Sequence, residues 1–388
     1  MSTSRILKVG IPVSLSGQFH VQGAQALAGL RTWADDVNRS GGLSFGNRGG
    51  PWQILVAHYD DASIQESARL ATERLIDEDR VDLLFGPYSG SLTEAASEIA
   101  EDREKLLWNQ GGASDTIYQR GYKWLAGILT PASEYLAGLL PLVRQADPRA
   151  VSVAILRASR GAFPSVVSAA VERQAAALGF RLDLCREYDP AATDLSGLLD
   201  EIADVQPDVL LGVGRIRNDL LLARQLVARQ FVDTRVRPKA VAIVATPIEQ
   251  FQEALAGEAD GFIGPSQWEP SANYPIDYGP TAAQVLESLG KNGHHQVDYP
   301  MVQAYAAGVV AQRCVEASES LEDGVLRDTA WKLDFSTFYG RFKIDPATGR
   351  QVGHSVMLVQ RQAGKKVVVW PPEQRQRALA YPWRGPAR

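Results

Sequence analysis

At 388 residues the chain is long enough for two or three domains of ordinary size. Its composition, 45% hydrophobic and 22% charged, is that of a globular protein. A formal charge of −5 gives no electrostatic case for nucleic acid, and no apolar run reaches the length that spans a bilayer.

The chain opens on MSTSR and passes almost directly into a strand, with apolar residues alternating at 7, 9, 11, 13 and 15. No basic segment followed by an apolar one precedes it, so the expectation is no signal peptide. That implies the cytoplasm, or the periplasm where a leader was removed or mis-assigned. Leu27, Leu30, Ala34 and Val37 recur at helix spacing, and Asn38 to Gly42 stops that helix. A strand over 53–59, a helix over 63–76 and a strand over 81–85 follow. The stretch "LLFGPYSGSLTEAAS" then reads as buried strand, tight turn and helix, with Ser91 as N-cap and Glu94 completing a capping box. Residues 106–108 form another short strand.

A second set of strand–helix units starts near residue 150. Strands are expected over 151–156, 180–184, 208–213 and 240–245. Helices are expected over 164–178, 195–205 and 218–230. A helix over 300–318 and strands over 337–343, 356–360 and 366–370 come later, and the Pro/Arg/Gln-rich tail after Pro371 reads as an extended arm. Repeated strand–helix units with short linkers predict an α/β fold of two doubly wound lobes, each a parallel sheet covered by helices.

Chemistry is marked more by absence than by presence. The chain has no GxSxG elbow and no phosphate-binding GxxxxGK[ST] loop; Gly212-Val213-Gly214 lacks the third glycine of a dinucleotide fingerprint, since position 217 is Arg217. The two cysteines, Cys185 and Cys314, read as free buried thiols, and the five histidines form no ligand-spaced cluster. No cofactor, no metal site and no enzyme activity are expected. What recurs is small polar residues at the carboxyl ends of strands: Ser14 to Gly17, Asp60-Asp61, Gly86 to Ser91, Asn109 to Asp115, Arg157 to Phe163 and Gly214-Arg215. Ligands of open α/β sheets bind there. Hydroxyls and backbone N–H groups without a nucleophile–base pair suit binding rather than turnover.

The segments "VGIPVSLSG", "LAGLRTWADDVNRSGGL", "HYDDAS", "LLFGPYSGSLTEAASEIAED", "GGASDTIYQRGYKWL" and "DLSGLLDEIADVQPDVLL" resemble the type I periplasmic binding proteins. The branched-chain amino-acid (Leu/Ile/Val) receptors of ABC importers are the most similar subgroup, and the likeness runs from about Leu7 to about Trp370. The resemblance implies two α/β lobes joined by three hinge strands that close on a ligand. Lobe 1 would be residues 6–127 plus 251–335, lobe 2 residues 128–250 plus 336–370, and 371–388 a C-terminal arm. It places carboxylate binding on Ser89, Gly90 and Ser91, and ligand contact on Gly111, Gly112, Ala113 and Ser114. An aromatic clamp falls near Phe163, and the loop after the first strand, with Phe19 and Gln22, becomes the roof. Ser91 then either caps its helix, binds ligand, or does both.

Two departures bear on the ligand. The family's acid for a ligand ammonium has no counterpart in Thr246-Pro247-Ile248-Glu249, and a second aromatic is replaced near Gly214 by Arg215. Arg215 either faces solvent or meets an anionic group of the ligand. The family's disulfide positions carry Ser63 and Ser89. The implied function is a solute receptor for a small amino acid or related carboxylate, with ABC permease subunits as partners and no membrane-spanning segment. The alternative is a cytosolic sensor of amide-like or amino-acid-like molecules acting on a regulatory protein partner.

Overall fold

A computed structural model describes residues 5–46, 51–232 and 236–385. In chain order it runs β1 (Arg5–Val13), α1 (His20–Arg39), β2 (Trp52–Asp60), α2 (Gln65–Asp77), β3 (Leu83–Phe85), α3 (Gly90–Asp102), β4 (Leu107–Asn109), α4 (Thr116–Gln119), β5 (Leu125–Gly127) and α5 (Leu139–Ala146). Next come β6 (Ser152–Ala158), α6 (Ala162–Leu178), β7 (Arg181–Tyr188), α7 (Ser196–Val205), β8 (Val209–Val213), α8 (Ile216–Val232), β9 (Ala240–Ile243), α9 (Glu249–Leu255) and β10 (Ile263–Ser266). The chain ends with α10 (Ala282–Lys291), α11 (Tyr299–Ser318), α12 (Asp323–Ala330), β11 (Phe335–Thr337), β12 (Gly340–Phe342), β13 (Met357–Gln362) and β14 (Lys365–Trp370).

These elements form two compact units. Unit 1 takes the chain up to Pro131 together with Ala272–Ser355; unit 2 takes Ala132–Ser271 and the chain from Val356 onward. Unit 1 is built on a sheet of order β2-β1-β3-β4-β5, parallel throughout. Successive strand residues point to opposite faces, so both faces need cover. On one face Leu84 joins Leu75, Ala96, Ala100, Leu107 and Leu125 in a core. On the other, Phe85 meets the Trp33 ring of α1 at 6.2 Å. The expected inner stripe of α1 is buried: Leu27, Leu30, Ala34 and Val37, with Trp33 added.

Unit 2 holds a sheet of order β14-β13-β10-β9-β8-β6-β7. Strands β6 to β10 run parallel, while β13 and β14 are antiparallel, which the parallel-only expectation did not include. The run VLLGV of β8 is buried at every position, as a central parallel strand requires.

The unit boundaries differ from those the resemblance implies. Residues 251–271 stay with unit 2 because β10 pairs with β9 and β13. Residues 336–355 stay with unit 1, where β12 pairs β11 and Gly127 N–H donates to Gly349 O at 2.8 Å. The C-terminal arm packs back onto unit 2. Gln360 brackets Ala380 with two hydrogen bonds, and Trp383, 5% exposed, sits in the unit 2 core.

Candidate ligand site

In unit 1 the chain runs from β1 out to β2, then returns to the other side of β1 to place β3. The reversal makes the gap between the carboxyl ends of β1 and β3 the switch point of the sheet, where crossing loops diverge and leave a crevice. The loop after β1 carries Ser14 to Phe19; the loop after β3 carries Gly86 to Ser89. Both were singled out from sequence.

The turn after β3 is held in an unusual conformation. Ser89 has φ 87° and ψ 146°, backbone space that a side chain rarely occupies. Its N–H donates to Gly111 O at 3.1 Å, tying it to the loop after β4. Its hydroxyl, rather than that of Ser91, caps α3 by accepting from Leu92 N–H at 3.4 Å. The expected Ser91–Glu94 capping box is therefore not formed: Ser91 is exposed, and Glu94 is ion-paired with Arg120. Gly90 opens the helix, and a Cβ there would come within 2.7 Å of Ser114 Cβ. That close approach packs the 89–91 turn directly on the 111–114 loop. Asn109 braces the second loop, donating to Gly112 O and accepting from Gly112 N–H, both at 2.8 Å. Ala113 is half-buried; Ser114 is buried with its hydroxyl 2.8 Å from that of Thr116. So Ser89, Gly90, Ser91, Gly112, Ala113 and Ser114 come together.

The loop after β1 is stitched to the loop after β2 by two carboxylates. Asp60 accepts from Leu15 N–H, Ser16 N–H, Ser16 Oγ and Ala62 N–H. Burial opposes its charge, but these bonds win and hold its pKa below the usual range. Asp61, fully buried, accepts from Ser14 Oγ at 2.6 Å and Ser63 N–H at 2.8 Å; there burial wins and pushes its pKa up. Ser63 Oγ in turn accepts from Phe19 N–H at 3.1 Å. Phe19, half-buried, lies on Ala68, Leu92 and Ala95 and meets the Tyr88 ring edge-on at 5.9 Å. Gln22 is half-buried on the first turn of α1.

The sequence places Tyr88 in the polar mouth after β3 but gives it no role of its own. Its hydroxyl bonds that of Tyr299 at the start of α11, and burial raises its pKa. The signal available was its place in the polar stretch at the carboxyl end of β3; its partner, 211 residues away, had none.

Unit 2 repeats the reversal: β7 lies outside β6, and β8 returns to the other side. Its switch point lies between β6 and β8, and the two loops there lead to Phe163 and carry Arg215. Phe163 is half-buried and meets Tyr135 edge-on at 5.5 Å. Arg215 is exposed. From β13, Arg361, 2% exposed, donates to Thr246 O and Ile248 O in the loop after β9 and stands 3.8 Å from Glu249. Cys314 is buried as expected, but Cys185 is partly exposed. Among the described residues no group of His, Cys, Asp and Glu could hold a metal ion, and no helix is long and apolar enough to cross a membrane.

A family model described as periplasmic binding protein matches residues 6–366. The Leu/Ile/Val-binding protein homolog 8 of Brucella abortus is 25% identical over 228 residues, 56% of this chain and 54% of that protein. The chain thus spans about half the length of that curated relative. A structure of LivJ from Streptococcus pneumoniae with isoleucine is similar in fold at TM-score 0.76 and 17% identity, over 95% of this chain and all of that one. A solute binding protein from R. palustris in complex with 4-hydroxybenzoate gives TM-score 0.75 and 16% identity, over 94% and 95%.

Proposed function

This chain belongs to the periplasmic binding protein family, and on that footing we propose that it is a solute receptor of an ABC importer, working outside the cytoplasm. It binds a small amino acid or related carboxylate at the crevice where β1 and β3 diverge, without turnover, and closes by the hinge motion the family resemblance implies.

One observation supports this most. Ser89 is held at φ 87°, a conformation costing on the order of 1–3 kcal/mol. The strained turn sets the start of α3 against the 111–114 loop. The first N–H groups of a helix, here Gly90 and Ser91, precede any intrahelical acceptor and carry the positive end of its dipole. With the Ser89 and Ser91 hydroxyls they make a receptor for a carboxylate. Gly112, Ala113 and Ser114 meet the ligand beside it, and Phe19 with Gln22 covers it. Phe163 and Arg215 are the candidate residues at unit 2's own switch point. Within this class, aromatic acids fit better than α-amino acids, because Glu249, the acid in the Thr246–Glu249 segment where the resemblance expects an ammonium partner, stands 3.8 Å from Arg361. Aromatic acids are also what relatives such as the 4-hydroxybenzoate-bound protein carry.

A thermal-shift panel of amino acids, benzoates, aliphatic acids and dicarboxylates tests the reading. A true ligand at a hundred times its Kd adds about 2.7 kcal/mol of stability. The expected result is a shift with carboxylates and none with their amides. A panel in which no carboxylate raises Tm would overturn it.

A further inference from the structure

Asp219 stands in the first turn of α8, directly behind the loop that carries Arg215. It is fully buried. Its Oδ2 accepts from Ala245 N–H at 2.9 Å, in the loop after β9, and the Gly214 amide, in the loop after β8, lies near enough to favour its charge. Its Oδ1 has no hydrogen-bond partner. The fit is tight: a Cβ on Gly214 would come 2.8 Å from Oδ1 and 2.5 Å from the Tyr188 hydroxyl. One side chain therefore holds the loop after β9 by an amide hydrogen bond and packs against the loop after β8, at the carboxyl end of the unit 2 sheet, and an amide binds a carboxylate far more strongly than a neutral acid.

We propose that Asp219 is a proton-controlled clasp that ties the 214–215 loop to the 245–246 loop when ionised, loosens them when protonated, and so sets ligand affinity by pH. It acts through the loops as a positioning residue and does not itself touch ligand. The link to affinity rests on the proposed function; the clasp does not. Burial drives the Asp219 pKa up, to about 8, although the two amides pull it down. The surroundings leave that balance to burial. From β7 the one titratable group facing it is Tyr188, whose own pKa is raised by burial and by Asp219. On its own turn Arg215 and Arg217 are exposed; the β9 loop brings Ala245 and Thr246, which do not titrate; and on α9 Glu249 faces Arg361. Loosening then falls within the range a cell or its surroundings can reach.

The test is an amide-proton titration of the full chain from pH 6 to 10, with calorimetry of benzoate and 4-methylpentanoate over the same interval, in which neither ligand titrates. Gly214 and Ala245 should move downfield together in one step near pH 8. Affinity for whichever acid binds should tighten several-fold through the same step. Asp219→Asn should abolish both steps and hold the low-pH affinity throughout. Its fold is checked by thermal unfolding: relative to wild type it gains stability as pH rises from about 4 to about 8, because only the native carboxyl resists ionisation there. Flat amides in wild type, a step that survives in Asp219→Asn, or titrating amides with pH-independent binding would each overturn the clasp as stated. Titrating amides with no binding of either acid at any pH would leave the clasp and remove the carboxylate reading instead.

Discussion

A serine at φ 87° and ψ 146° occupies backbone space that glycine enters freely. If Ser89 is strained for the sake of its hydroxyl and its position, relief and function should separate on mutation. Ser89→Gly removes the strain; Ser89→Ala keeps it and loses the cap to Leu92 N–H, worth about 1 kcal/mol. Denaturant unfolding should therefore rank Ser89→Gly at least as stable as wild type and Ser89→Ala below it, while both bind the carboxylate more weakly. An alanine variant more stable than the glycine variant would contradict the strain. Gly112 gives a second test. A Cβ there would come within 2.5 Å of Thr93 Cβ and Oγ1. Gly112→Ala should lose about 1–3 kcal/mol, with part recovered in Gly112→Ala/Thr93→Gly, measured by the same unfolding curves. Ser89 was legible as part of a polar mouth, but its backbone was not: nothing in the letters Tyr-Ser-Gly-Ser says which residue takes the positive φ. The sequence reading gave the cap to Ser91 because capping rules assume an ordinary turn.

Long periodic elements were readable because one buried face dictates their pattern. The stripe of α1 and the apolar run of β8 are examples, and their burial follows the spacing. Short elements without a buried apolar run at a turn escaped, whereas β3 and β4 did not. Strand β5 has three residues and α4 four, too few to show a period. Helix α5 is short and apolar, so its pattern resembles a strand as much as a helix. The docking of the tail was not legible because its anchors are isolated residues. Trp383 fills the core beside Phe262, with ring centroids 5.3 Å apart, and Tyr381 donates to Asp147 at 3.1 Å. Trp383→Ala should cost about 3–5 kcal/mol; a change under about 0.5 kcal/mol, a typical surface effect, would show that the strap is not part of the core. The Arg149 backbone N–H, with help from Tyr381 and Lys239, holds the Asp147 pKa at about 2. A depressed carboxylate stabilises above its unfolded value, near 4, and that stability is lost as pH falls towards 2. Asp147→Asn should flatten the acid limb of the unfolding profile between pH 4 and 2, and an unchanged limb would contradict this role.

At the scale of the whole chain, the fold class and the order of strand–helix units were legible, whereas the ends of the two units were not. Which unit claims residues 251–271 depends on β10 pairing with β13, almost a hundred residues on, and periodicity carries no information about partners at that range. The same holds for the switch points: the polar loops could be named from sequence, but only the strand orders reveal which of them flank a reversal. Family membership reaches the fold and the class of protein; the proposed carboxylate rests on Ser89, Gly90 and Ser91. The most direct test is calorimetric titration of the tightest carboxylate from the panel into wild type and into Ser89→Ala/Ser91→Ala, each first confirmed folded. Each lost hydrogen bond to a charged group is worth about 1.5–3 kcal/mol, so binding should weaken at least tenfold. Wild-type affinity in the folded double variant would contradict carboxylate capture at this turn.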